Sequence, residues 1–75
     1  MRIKFYSLNV DGKWVKWEFS DINELLYIFI SDFPDLPAND DPIKRIFLDN
    51  EPLFLENVIS DPTFYDLAKL LGITT

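Results

Sequence analysis

The residues able to do chemistry in this chain are acids and aromatic rings. Asp32, Asp35, Asp40 and Asp41 cluster between positions 32 and 41, and Asp49 and Glu51 follow. A row of carboxylates can imitate a nucleic-acid backbone, which carries one charge per roughly 1.7 Å of duplex axis. The same residues also suit a solvated loop and helix caps. A calcium loop is not supported, because "DLPANDD" lacks the regular ligand spacing and the glycine such a loop needs.

A second set lies near the amino terminus. "NVDGKWVKWEF" places two tryptophans three apart. In a strand, an odd spacing sends Trp14 and Trp17 to opposite faces. Trp17 is expected in the core, between Phe5 and the first helix. Trp14 then shares the outer face with Arg2, Lys4, Tyr6, Leu8 and Lys16. Basic residues interleaved with rings on a sheet face are what single-stranded nucleic acid uses, with bases stacked on the rings; the other reading is that the second helix, or a partner copy, covers this face. Of these, Tyr6, Leu8, Trp14 and Lys16 are the candidate partner-binding residues, beside the acidic set Asp32, Asp35, Asp40, Asp41, Asp49 and Glu51.

Catalysis has little to work with. There is no histidine and no cysteine, which removes the usual general base and the thiolate nucleophile. Two glycines cannot build a phosphate-cradling loop. Neighbouring Asp40 and Asp41 lie in a polar loop, a setting that does not mark a catalytic acid–base pair. No catalytic residue, metal ligand or cofactor is expected.

The chain has 75 residues, enough for one small domain, expected over 1–75. Seven Phe, three Tyr and two Trp supply much of its buried area. The net charge of −6 is uneven. Residues 1–16 carry Arg2, Lys4, Lys13 and Lys16 against Asp11, a balance of +3, and the rest carries −9. The longest apolar run, Leu25 to Ile30, is too short to span a membrane. With no cysteine staples and no signal-peptide pattern, a cytoplasmic location is expected.

The positioning elements follow from periodicity. Residues 2–19 read as a hairpin. A three-residue loop, Val10-Asp11-Gly12, with Gly12 left-handed, pairs Ile3 with Phe19, Phe5 with Trp17 and Ser7 with Val15 on the apolar side. Lys4 then faces Glu18, Tyr6 faces Lys16 and Leu8 faces Trp14. A slip of one residue would destroy this separation. Residues 21–33 read as a helix capped by Asp21, with Glu24 three positions on. Its apolar arc is Ile22, Leu25, Leu26, Phe29, Ile30 and Phe33. Residues 34–42 form an acidic, proline-rich loop. Residues 43–57 read as a second hairpin, "IKRIFL" then "PLFLEN", with Pro52 at a strand start or sheet edge. Residues 61–71 read as a second helix, with Asp61 as cap, Pro62 in the first turn and Gly72 as the stop.

The expected fold is α+β: a four-stranded, mainly antiparallel sheet from two hairpins, with two helices in the order ββαββα. Both halves run hairpin, Ser-Asp, helix, which suits either an internal duplication or the ordinary use of Ser-Asp at helix starts. Over residues 1–57 the layout, notably "IKRIFLDNEPLFLEN", resembles the opening of a ubiquitin-like β-grasp. That resemblance implies a last strand where residues 61–71 read as a helix, and a double glycine for conjugation where "LGITT" stands.

A small acidic, aromatic-rich chain of this kind is similar to short proteins of phages and mobile elements. The function expected on that analogy is non-catalytic: an inhibitor or adaptor that binds another protein. The alternative is an acidic DNA mimic that blocks a restriction, CRISPR or repair enzyme. A nucleic-acid binder using the hairpin face ranks third, because the acidic total disfavours direct contact with phosphates. A homodimer through the hairpin face is a further partner, and no membrane contact is expected.

Overall fold

The computed structural model describes residues 1–31 and 36–73. Strands β1 (Ile3–Leu8) and β2 (Trp14–Phe19) precede helix α1 (Ile22–Ile30). Strands β3 (Ile43–Leu48) and β4 (Glu51–Leu53), a single 3-10 turn (Leu55–Asn57) and helix α2 (Phe64–Leu70) follow. The four strands form one antiparallel sheet in the order β2-β1-β3-β4, which is the α+β architecture expected.

The first hairpin has the register that its residue types demand: all six pairs from Ile3–Phe19 to Leu8–Trp14 are present. The loop closes as a three-residue connection. Asn9 N–H donates to the Lys13 carbonyl at 2.9 Å and Gly12 N–H to the Asn9 carbonyl at 3.0 Å. Gly12 has φ +76°, a conformation in which a Cβ would be strained. The Asn9 side chain adds two bonds, accepting from the N–H groups of Asp11 and Lys13 at 3.0 Å each.

In the second hairpin, Asp49 and Asn50 both have positive φ (52° and 67°) between the paired Leu48 and Glu51. A two-residue turn of this kind matches the twist of the strands, and Asp and Asn tolerate it best after glycine. The second strand, expected over "PLFLEN", stops at Leu53. Leu55 turns inward instead and is 4% exposed at the start of the 3-10 turn. Pro52 lies on the edge strand, as its missing N–H requires.

Each helix differs from expectation at one end. Helix α1 starts at the Asp21 cap, which accepts from Glu24 N–H at 2.9 Å. It stops at Ile30 rather than 33, because Ser31 caps it. The Ser31 hydroxyl and N–H both donate to the Tyr27 carbonyl, at 2.7 and 3.1 Å. Phe33, expected on the apolar arc, lies outside the described residues. The inward arc is Ile22, Leu25, Ile28 and Phe29, while Leu26 and Ile30 face solvent.

Helix α2 is capped by Thr63, not Asp61. Thr63 and Asp66 form a reciprocal capping box, which satisfies two N–H groups at once. Pro62 is held outside the helix: its carbonyl accepts from Ile43 N–H at 3.0 Å. The Ser-Asp shared by both halves therefore caps only the first helix. At the far end, Gly72 N–H bonds the Lys69 carbonyl and Ile73 N–H the Ala68 carbonyl, with Gly72 at φ +75°. This closure satisfies two orphan carbonyls.

The core lies between one face of the sheet and the helices. Phe5 stacks on Phe64 with centroids 5.5 Å apart, and Phe29 meets Phe64 edge-on at 5.7 Å. Ile3, Phe5, Leu25, Phe64, Leu67 and Ala68 are fully buried. Trp17 is only half-buried. It stacks on Phe19 and donates from Nε1 to the buried Ser7 hydroxyl at 2.8 Å.

Candidate functional site

The inner face of the sheet holds Ile3, Phe5 and Ser7 of β1, so alternation sends Lys4, Tyr6 and Leu8 to the outer face. The register adds Trp14, Lys16 and Glu18 from β2. The four residues Tyr6, Leu8, Trp14 and Lys16 are therefore together. The helices pack on the other side of the sheet, and Trp14 keeps 40% of its surface exposed.

Strand β3 completes this face, and its contribution depends on a bulge. Lys4 pairs with Phe47 and Tyr6 with Lys44, so two steps on β1 match three on β3. The extra residue is taken up at Arg45, which has φ +53°. Ile43 and Ile46 can then both point inward although they are three apart. Lys44, Arg45 and Phe47 all reach the outer face. The Lys44 ammonium sits 3.9 Å above the Trp14 ring, the Arg45 guanidinium 5.9 Å from Tyr6, and the Lys4 ammonium 5.1 Å from Phe47. Each distance is within the range of attraction between a cation and a ring.

Lys44, Arg45 and Phe47 are the residues that reading the sequence missed. A signal was present: an alternating strand cannot bury both Ile43 and Ile46 without an inserted residue.

Among the described residues, the carboxylate on this face, Glu18, is paired. Glu18 Oε1 lies 3.0 Å from Lys16 Nζ, with both side chains about half exposed (50% and 49%). That hydrogen bond and the opposite charge hold the Glu18 carboxyl below its ordinary pKa and raise that of Lys16. Among the described residues the face therefore sets four cations, Lys4, Lys16, Lys44 and Arg45, against Glu18, beside Tyr6, Trp14 and Phe47.

The acidic residues are arranged otherwise. Asp40 and Asp41 lie just before β3, and Asp49 and Glu51 just beyond it. Six strand residues separate the two pairs, about 17 Å of sheet. Two of the four carboxylates are bonded to backbone: Asp41 accepts from Ala38 N–H at 2.9 Å and Asp49 from Arg2 N–H at 2.8 Å. Asp40 and Glu51 are exposed. Asp32 and Asp35 lie outside the described residues. No group of three or more His, Cys, Asp or Glu among the described residues could hold a metal ion.

At the loop end of the sheet, on the inner side, a cleft of about 310 Å³ opens between Val15, Trp17, Leu36 and Pro37. No helix among the described residues is long and apolar enough to cross a membrane. No protein-family model, curated protein or solved structure matches the chain. The chemistry that the outer face can offer is recognition. Rings provide stacking surfaces, and ammonium and guanidinium groups provide anion contacts.

Proposed function

We propose that this protein is a non-catalytic binding module whose working surface is the outer face of the sheet, and that it recognises an anionic macromolecule. One observation carries the proposal. Three rings on three adjacent strands alternate with cations, on a face that both helices leave uncovered. Large side chains in such a position usually mark an interaction surface. The molecule as a whole is acidic at −6, so setting four cations against one carboxylate here, among the described residues, gives the face a local sign opposite to that of the chain.

Imitation of nucleic acid by the acidic residues has less support. A mimic needs a continuous row of free carboxylates, whereas Asp40 and Asp41 are separated from Asp49 and Glu51 by the length of β3. Asp41 and Asp49 are also engaged with backbone N–H groups.

Chromatography on phosphocellulose tests the proposal. A uniform acidic protein passes through such a column. This one should be retained at low salt, and Lys44→Gln with Arg45→Gln should release it. Passage of the wild type in the void volume would remove the basis for the proposal.

A further inference from the structure

This step rests on the outer face being the working surface. We infer that its ligand is single-stranded nucleic acid, laid obliquely across the sheet with bases stacked on Trp14, Tyr6 and Phe47.

The geometry of the rings is the main argument. Trp14 pairs with Leu8, two positions from Tyr6, and Phe47 pairs with Lys4, two positions from Tyr6 on the other side. The rings therefore step diagonally over β2, β1 and β3. Diagonal neighbours on adjacent strands are about 7–8 Å apart, a step that an extended, unstacked single strand can follow. Lys16 and Lys44 flank Tyr6 on its two sides, Lys4 lies opposite Phe47 and Arg45 beside Tyr6, so cations border the rings where phosphates would run.

In the free protein, Lys44, Arg45 and Lys4 shield the rings, and on binding they would turn to phosphates as bases take their place on the rings. A duplex hides its base faces in the stack, so it cannot use the rings. An acidic protein segment would use the cations, but the row of rings would have no counterpart in its carboxylates. Among the described residues, Glu18 is the carboxylate placed on this face, and it is held by Lys16. Binding should then tolerate sequence, as stacking does. The acidic remainder of the chain confines contact to this one face and keeps affinity modest.

The test is fluorescence anisotropy with a labelled oligothymidylate of roughly twelve nucleotides, a typical single-strand site length. The same probe is titrated into ¹⁵N-labelled protein, with the Trp14 indole N–H as a reporter that needs no mutation. Two further ligands are compared: an abasic strand of equal length and poly-L-glutamate. The expected result is binding at low salt that perturbs Tyr6, Trp14, Lys44 and Phe47. The abasic strand should bind at least tenfold more weakly. Trp14→Ala should weaken binding roughly 5- to 100-fold, the range for losing one base stack. Neutralisation of up to three phosphates should cost about tenfold between 50 and 150 mM salt.

Equal binding of the abasic strand or poly-L-glutamate at the same residues would overturn single-stranded nucleic acid as the ligand while leaving an anion-binding face. Equal competition by a duplex of the same length would also overturn it. Absence of any perturbation at this face with all of these ligands would overturn both this inference and the function proposed above.

Discussion

On the outer face of the sheet, Lys4, Lys44 and Arg45 rest on aromatic rings and bond no carboxylate among the described residues. At the turns and helix starts the acids are at work on the backbone. Asp21 and Asp66 cap helices, Glu24 accepts from Ser20 N–H, Asp41 holds Ala38, and Asp49 holds Arg2. Both regions are rich in charge, yet most acids in these places serve the chain's own geometry while the cations do not. The difference shows that the abundance of a charged residue type does not locate a binding surface. What matters is whether its hydrogen-bonding capacity is already spent inside the fold.

That comparison can be broken from several directions. The largest effect belongs to neither region. Phe64→Ala, beneath Phe5 and Phe29, should cost about 3–5 kcal/mol and show by chemical denaturation as severe loss of stability. On the outer face the balance should reverse. Tyr6→Ala, one strand position from buried Phe5, should lose most ligand affinity while the denaturation midpoint changes far less than for Phe64→Ala; an equal loss would make Tyr6 a packing residue.

On the acidic side, Asp66→Ala removes half of the α2 capping box. It should cost about 1 kcal/mol of stability, read by thermal melting, and leave ligand affinity unchanged. Arg45→Gly sharpens the contrast within one residue. Glycine relieves a left-handed backbone, so stability should hold or rise by roughly 1 kcal/mol or less, while affinity falls through the lost cation.

The smallest effect is the pH response of the Lys16–Glu18 pair. Glu18 has a lowered pKa in the folded protein. Its contribution is present above the unfolded value and lost as pH falls through the folded one. Lys16 is raised, so its contribution is present below the unfolded value and lost as pH rises through the folded one. Both groups are in solvent, so stability near neutral pH should not respond measurably. Carboxyl NMR titration should show the Glu18 midpoint move upward in Lys16→Gln.

How much was legible from sequence depended on the range of the interaction. The first hairpin was legible in full, because Gly12 sets the loop and the alternation from Ile3 to Phe19 tolerates one register. The helix ends were legible in part: the Asp21 cap and the Gly72 stop were, whereas the end of α1 and the start of α2 were not. Asp61 was a plausible cap by type, but Thr63 with Asp66 offered a reciprocal pair, and Pro62 was drawn to Ile43 on β3. Ser31 ended α1 early for a similar local reason. The candidate face was half legible: Tyr6, Leu8, Trp14 and Lys16 followed from the hairpin, whereas Lys44, Arg45 and Phe47 did not.

The sequence by itself determined the elements, the hairpin register and the opposite orientations of Trp14 and Trp17, since these follow from side-chain period and turn chemistry over a few residues. Tertiary structure alone decided that β3 pairs with β1 and bulges at Arg45, and that both helices share one side of the sheet. Those outcomes depend on contacts between residues some forty positions apart, where burying Ile43, Ile46 and Phe64 together outweighs local preference. They made Trp14 one end of a row of rings on a face that the helices leave uncovered.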